Sequence, residues 1–310
     1  MKLTRVSLAI SALALLLPAA AFAQAPPTAP LVLTIPSSAR IAALGGAWIA
    51  GRDTDVIFHN PAQLIGARTD FGLTIGHFAP HANMASASSA YSAGKLSFTL
   101  GWGIQAVNFQ TNTGQLPPFS LDALRTRGSL QSAKAADAQS ALAVVGGAVL
   151  YKNFRIGASA KYATDRTDVN RRALLADVGI ARNLWGGAAS LAVQNIGKSA
   201  LPDLPTAKLP RQIAAGYSKS QSAGPFDLGL FTEVTHRSGW TSGAAGLEAG
   251  YSWIEGMSVT GRIGIRRPET TSSQPISFGG AFTADRLTLE YAMLMFDNSK
   301  RSHLVTIRWR

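Results

Sequence analysis

From Phe71 to the C-terminus the chain alternates apolar and polar residues, segment after segment, with a period of two. That period belongs to strands, whose successive side chains point to opposite faces. From Asn153, Phe154, Ile156, Ala158, Ala160 and Tyr162 share one face, while Arg155, Gly157, Ser159 and Lys161 share the other. From Lys95, Leu96, Phe98, Leu100, Trp102 and Ile104 oppose Lys95, Ser97, Thr99, Gly101 and Gln105. Later, Val259, Ile263 and Ile265 oppose Thr260, Arg262 and Arg266; Leu287, Leu289, Tyr291 and Met293 oppose Arg286, Thr288 and Glu290. The pattern predicts about 14 strands, each near the ~9–11 residues that cross an outer membrane at a tilt. Their expected starts are Phe71, Ser86, Lys95, Gln139, Asn153, Arg171, Gly187, Arg211, Pro225, Ser242, Glu255, Gln274, Arg286 and Arg301.

Magnitude decides which face meets lipid. One Arg or Lys facing lipid at mid-membrane costs about 2–4 kcal/mol. Arg155, Lys161, Arg262, Arg266, Arg286 and Glu290 together would exceed the ~5–15 kcal/mol that holds a whole domain together. Those faces are therefore expected in a lumen, where opposite charges can pair. A periplasmic β-sandwich is the soluble alternative, but it would need edge protection and does not explain such even strand lengths. The connections alternate as a barrel requires: tight turns at Gly94-Lys95, Lys152-Asn153, Trp185-Gly186, Glu255-Gly256 and Asp285, and longer stretches at 110–138, 197–210 and 268–273. Tyr151, Phe154, Trp185, Trp253, Phe109, Trp240 and Phe296 fall near strand ends, where interfacial girdles sit. The fold class expected is all-β, a transmembrane antiparallel β-barrel.

Residues 1–23 read as a cleavable export signal: Lys2 and Arg5, an apolar run from Val6 to Leu17, then Ala21-Phe22-Ala23. The alternative, an uncleaved anchor, is disfavoured because the run is short and ends at Pro18. Residues 24–36 form a Pro-rich spacer, 37–70 a mixed segment broken at Gly45-Gly46, and 71–310 the barrel. Charged residues make up only 15% of the chain, against roughly 25% in soluble domains. With no cysteine, thiol catalysis and thiolate metal sites are excluded, as is lipidation after the signal. A net charge of +12 could suggest nucleic acid. Export and the scattering of the basic residues point instead to lipopolysaccharide phosphates and outer-membrane lipids.

No catalytic motif survives its context. Gly101-Trp102-Gly103 begins a glycine pattern ending at Ala106, but inside a strand. Ser92 and Lys95 have Ser-x-x-Lys spacing across a tight turn. His77 and His81, four apart, would share a face only on a helix. The expectation is a non-enzyme without metal or cofactor.

The stretch SARIAALGGAWIAGRDTDVIFHNPAQL resembles the N-terminal region of the FadL/PorV/PorQ superfamily of outer-membrane barrels, with Asn60-Pro61-Ala62 in place of that family's Asn-Pro-Ala motif. The resemblance continues through RIGASAKYATDRTDV, VQNIGKSALPDLPTAKLPRQIAAGYS and ISFGGAFTADRLTLEYAMLMFDNSKRSHLVTIRWR, nearly to the end. In length the chain is closer to PorV/PorQ-type members than to the longer fatty-acid transporters, and it departs from the common ending, since Arg310 follows Trp309. The resemblance implies a barrel whose N-terminal segment folds into the lumen as a plug. Asn60-Pro61-Ala62 is then either a gate or an ordinary turn ending that plug. Asp53 and Asp55 are expected to pair with lumen arginines and hold it.

Three function classes follow. One is passage or hosting of a small hydrophobic or amphipathic molecule, with the cargo resting on the resemblance. The second is a shuttle or scaffold component of a secretion system such as type IX secretion, using 110–138 as a surface for secretion-system proteins. The third is a purely structural barrel.

Overall fold

The computed structural model describes residues 30–67, 70–78, 82–93, 97–110, 137–166, 170–200, 211–237, 240–267, 273–296 and 301–310. The expected signal (1–23), most of the spacer, His81, Lys95 and the bulk of the 110–138 stretch lie outside them. Among the described residues, fourteen antiparallel strands close into one barrel in sequence order, with the first strand pairing with the last. They are β1 (Phe71–Phe78), β2 (Ala82–Ala93), β3 (Phe98–Gln110), β4 (Asp137–Tyr151), β5 (Phe154–Arg166), β6 (Asn170–Leu184) and β7 (Gly187–Ala200). There follow β8 (Gln212–Ala223), β9 (Phe226–Arg237), β10 (Trp240–Ile254), β11 (Met257–Arg266), β12 (Ser273–Ala284), β13 (Leu287–Phe296) and β14 (Arg301–Trp309). Every strand begins within four residues of its expected start, the largest offset being Ala82 against Ser86. Gly197 to Ala200, expected in a loop, instead extend β7.

Two-residue turns join β4–β5, β6–β7, β8–β9, β10–β11 and β12–β13, all at one end of the barrel. Lys152, Trp185, Gly186, Gly224, Gly256 and Asp285 take positive φ there, the backbone hand that lets a tight hairpin follow the twist of its strands. Periplasmic turns are short in such barrels, so we call this the turn end and the opposite one the loop end.

The two faces invert the soluble pattern. In β5, Phe154, Ile156 and Tyr162 are exposed outside, while Arg155, Ser159 and Lys161 are buried inside. Exposed Phe71, Trp102, Tyr151, Trp185, Tyr251 and Trp253 form much of an outward aromatic belt. Phe226, Tyr251, Trp253 and Phe282 make a row with successive ring centroids 5.2, 6.4 and 6.2 Å apart. Phe109 and Trp240 are not part of it. Both are buried in the lumen because their strand positions fall on the inward parity.

The interior is filled by residues 30–67. Ser38 caps a short helix, α1 (Ala39–Ala43), accepting a hydrogen bond from the Ile41 amide. The helix ends at Gly45 and Gly46, both at positive φ, with the Gly46 amide donating to the Ile41 carbonyl. Short 3-10 turns follow at Thr54–Phe58 and Pro61–Gly66. This segment bonds inward-facing groups on strands all round the barrel. The Ala39 amide donates to Thr306 of β14, the Val32 amide to Ser140 of β4, Ser277 of β12 to the Ala43 carbonyl, and Ser218 of β8 to the Ala50 carbonyl. Contacts on opposite walls place the segment inside the barrel, where Ile41, Leu44, Trp48, Ile57 and Leu64 form the apolar core.

Candidate functional site: the lumen around the N-terminal segment

At the turn end the segment is held by charge. Arg40 of α1 bonds Asp53 at 2.7 Å and Glu248 of β10 at 2.7 Å. Glu248 also takes Arg262 of β11 at 2.7 Å, and Arg262 reaches Glu290 of β13 at 3.2 Å. Arg308 of β14 closes the circuit, bonding Asp55 at 2.6 Å and Glu290 at 3.1 Å, and lying 3.8 Å from Asp53. Arg310 pairs with Asp53 at 3.3 Å and Asp70 at 3.7 Å. Arg308, Glu290, Asp55 and Asp53 are all buried. Removing two charges from water costs several kcal/mol per ion, which attraction offsets only when geometry and extra hydrogen bonds are good. Here almost every charge has two or more partners.

The arrangement sets the ionisation of the groups that lie outside the strands. Burial alone would raise the pKa of Asp53, but Arg40, Arg308 and Arg310 overcome it and hold the carboxyl well below the usual range. The linked set contains four arginines and five carboxylates, so one acid is surplus. That acid is Asp70: burial, and next the charge of Asp53, push it up to about 6. Arg40 also lies over the Trp48 ring at 4.9 Å and the Phe231 ring at 5.8 Å, so the cation is clamped by acids and aromatics together.

A second anchor lies across the lumen. Lys161 of β5 is 2.5 Å from Asp177 of β6 and donates to the Phe58 carbonyl at 2.8 Å. Asp177 also accepts from the amide of Asn195, which sits at positive φ beside a register shift in the β6–β7 pairing. The extra residue is a β-bulge, turned so that its amide meets the buried carboxylate.

Asn60-Pro61-Ala62 links the two anchors. The Asn60 side chain accepts from the Ala62 amide at 3.1 Å and donates to the Ile49 carbonyl at 3.0 Å, tying two turns of the segment together. Pro61 opens the 3-10 turn, where its missing N–H costs nothing. The motif lies against Gly157 of β5 and Gly179 of β6: a Cβ on Gly157 would meet the Pro61–Ala62 backbone, and one on Gly179 the Asn60 side chain. Glycine at both positions is what lets the segment lie directly on the sheet.

At the loop end the lumen holds a cavity of about 160 Å³. Val32, Ile35, Ile41 and Phe58 of the segment face Leu142, Trp240 and Leu294 of the wall, with Gln105, Gln194, Gln212 and Glu233 among them. Glu233 accepts from the Trp48 and Ile49 amides at 2.9 and 2.8 Å. His59 also lines the cavity. Burial, and then the Lys161 cation, push its pKa down to about 3, so it is neutral at pH 7. Its Nε2 has no hydrogen-bond partner among the described residues.

The charged residues expected from the sequence fall in four places. Asp53, Asp55, Arg262 and Glu290 meet in the turn-end network. Arg155 and Lys161 lie on the wall near the Asn60 turn, Arg155 donating to Asn183 at 3.2 Å. Arg266 lines the loop-end cavity. Arg286 does not face the lumen: it occupies the exposed β12–β13 turn, where strand parity no longer applies. Sequence reasoning passed over Arg308, Glu248 and Arg40. The first two lie on the inward parity of their strands beside small or polar neighbours, a readable signal. Arg40 carries no such mark.

No family model and no curated protein matches this chain. Among solved structures, the fold is similar to that of the toluene transporter TodX of Pseudomonas putida, with a TM-score of 0.56 at 10% identity over 87% of this chain and 96% of that one. A second TodX structure gives 0.53 at 10% identity over 89% and 96%. A deltaS2S3 mutant of TodX, described as a monoaromatic hydrocarbon channel, gives 0.53 at 10% identity over 87% and 96%. At that identity the likeness is one of fold: a closed transmembrane barrel of fourteen strands, with all fourteen found here among the described residues.

Proposed function

We propose that the chain is an outer-membrane channel of the PorV/PorQ, FadL-like type, exported by its N-terminal signal. In this reading residues 37–70 are a plug, and the barrel passes or hosts a small amphipathic molecule. The observation that carries it is the loop-end cavity, bounded by the same segment that the ion network holds at the turn end. Its walls are mixed: Val32, Ile35, Phe58, Leu142 and Leu294 stand beside Gln105, Gln212, Glu233, Arg266 and Arg267, a lining that suits a molecule with both apolar and polar parts. The fold shared with TodX, and the sequence resemblance, are consistent with hydrophobic cargo. The secretion reading rests on the 110–138 stretch, which lies outside the described residues save its ends in β3 and β4, so no observation favours it.

The plug reading makes Asn60-Pro61-Ala62, Asp53 and Asp55 the residues whose release would open the path. The test is uptake of small aromatic alcohols into liposomes containing the purified barrel, with mass spectrometry of whatever co-purifies. Uptake above empty liposomes, altered in Asp53→Lys, is expected. Uptake indistinguishable from empty liposomes, together with a stoichiometric protein partner in native membranes, would overturn the proposal.

A further inference from the structure

The outer wall carries a polar arrangement that the channel does not use. It lies on the seam where β1 meets β14, the pairing that closes the barrel and joins strands with no direct chain connection. His77 and His303 are direct cross-strand partners there, near the loop end, and both side chains are exposed on the outward face. Directly opposed side chains have Cβ atoms about 4.5–5.5 Å apart, close enough for two imidazoles to share one ion. An outward position on a barrel wall favours apolar residues, yet here two histidines stand side by side.

Each ring is also held from behind. His77 Nδ1 lies 2.8 Å from Asn83 Oδ1, which only accepts, so Nδ1 carries the proton and Nε2 keeps its lone pair. His303 Nδ1 lies 2.7 Å from the Tyr291 hydroxyl, whose ring stacks on the imidazole with centroids 6.0 Å apart. A phenol oxygen accepts as well as donates, so this contact allows His303 the same tautomer, with Nε2 free to bind an ion. Metal-binding histidines almost always hold the distal N–H in this way, which sets the tautomer and orients the ring. Among the described residues no third histidine or carboxylate joins them, so water would complete the coordination sphere.

We infer that His77 and His303 form a binding site for a divalent transition ion of the Zn2+ or Cu2+ class, with Asn83 and Tyr291 orienting the two rings. Imidazole nitrogen suits these ions over Mg2+ or Ca2+. A bound ion would bridge the first and last strands at the loop end of the seam. The folded barrel would then be stabilised in proportion to the logarithm of ion concentration.

Calorimetric titration of ZnCl2 into the metal-free, full-length barrel in detergent tests this. One equivalent should bind, its affinity lost in His77→Ala and in His303→Ala, and reduced about tenfold in Asn83→Ala, which leaves both ligands in place. His236→Ala, an exposed histidine on β9, should match the unmodified protein. Cu2+ bound to the unmodified barrel should show two equivalent nitrogen couplings by electron paramagnetic resonance, a readout that needs no variant to fold. Wild-type affinity in His303→Ala, or a single nitrogen coupling, would overturn the inference.

Discussion

At the turn end of the lumen the N-terminal segment is fastened by directly bonded arginines and carboxylates. At the loop end the same segment presents Val32, Ile35, Ile41 and Phe58 to an open cavity. Charge is strong but demands complete partnering, since a buried ion left alone costs far more than a lost contact. Apolar packing tolerates a gap, and a gap can hold a ligand. The difference divides one segment: its turn-end side is tied to the wall by charge, while its loop-end side borders the cavity on which the proposed channel function rests.

The comparison can be broken most severely at Arg308. Arg308→Met would leave buried Asp55 without a cation and Glu290 with Arg262 alone, with an expected loss of about 3–5 kcal/mol. Urea unfolding in detergent micelles, paired with single-channel conductance, would read both lost stability and a loosened segment. Equal stability of variant and parent would mean that the ion circuit contributes little.

A pH titration separates the two ends. His59 is held neutral when folded but binds a proton readily when unfolded, so stability is full above pH ~6.5 and falls as pH drops toward 3. By pH 4 this is worth about 3 kcal/mol, at 1.36 kcal/mol per unit. His59→Gln should lose that component of acid sensitivity. An unchanged acid limb in the variant would show that the group is not sealed in the folded protein.

Gly157 tests contact rather than charge. Gly157→Val would push its side chain into the Pro61–Ala62 backbone, an overpacking cost of about 1–3 kcal/mol. Limited proteolysis should then cut the segment more readily while the barrel stays intact. Asp70→Asn is the smallest change. A carboxyl with a raised folded pKa costs stability as pH rises from about 4 to 6, so the amide should stabilise the barrel at pH 7 by about 1 kcal/mol. No gain, or a loss, would mean that the Arg310 contact outweighs the surplus charge.

Strand number, strand faces and the tight turns could be read directly from the chain, because period-two alternation and the expense of charge in lipid act locally and repeat along every strand. The inward placement of Arg155, Lys161, Arg262 and Glu290 follows from that parity alone. Arg286 shows where the rule ends: one step past a strand end, parity says nothing, and the residue stands in a turn. Phe109 and Trp240 show the same limit from the other side, since an aromatic near a strand end serves the lumen as readily as the interface.

What the sequence by itself determined was a closed wall with an apolar outside and a charged inside. Which charges meet was decided only in the tertiary structure. Arg40 finds Glu248, and Asp55 finds Arg308, across more than two hundred residues of chain, because barrel closure brings β10, β13 and β14 around one short helix. The same closure sets His77 beside His303. No local pattern encodes such meetings: they depend on register summed around fourteen strands, and register exists only once the circle is complete.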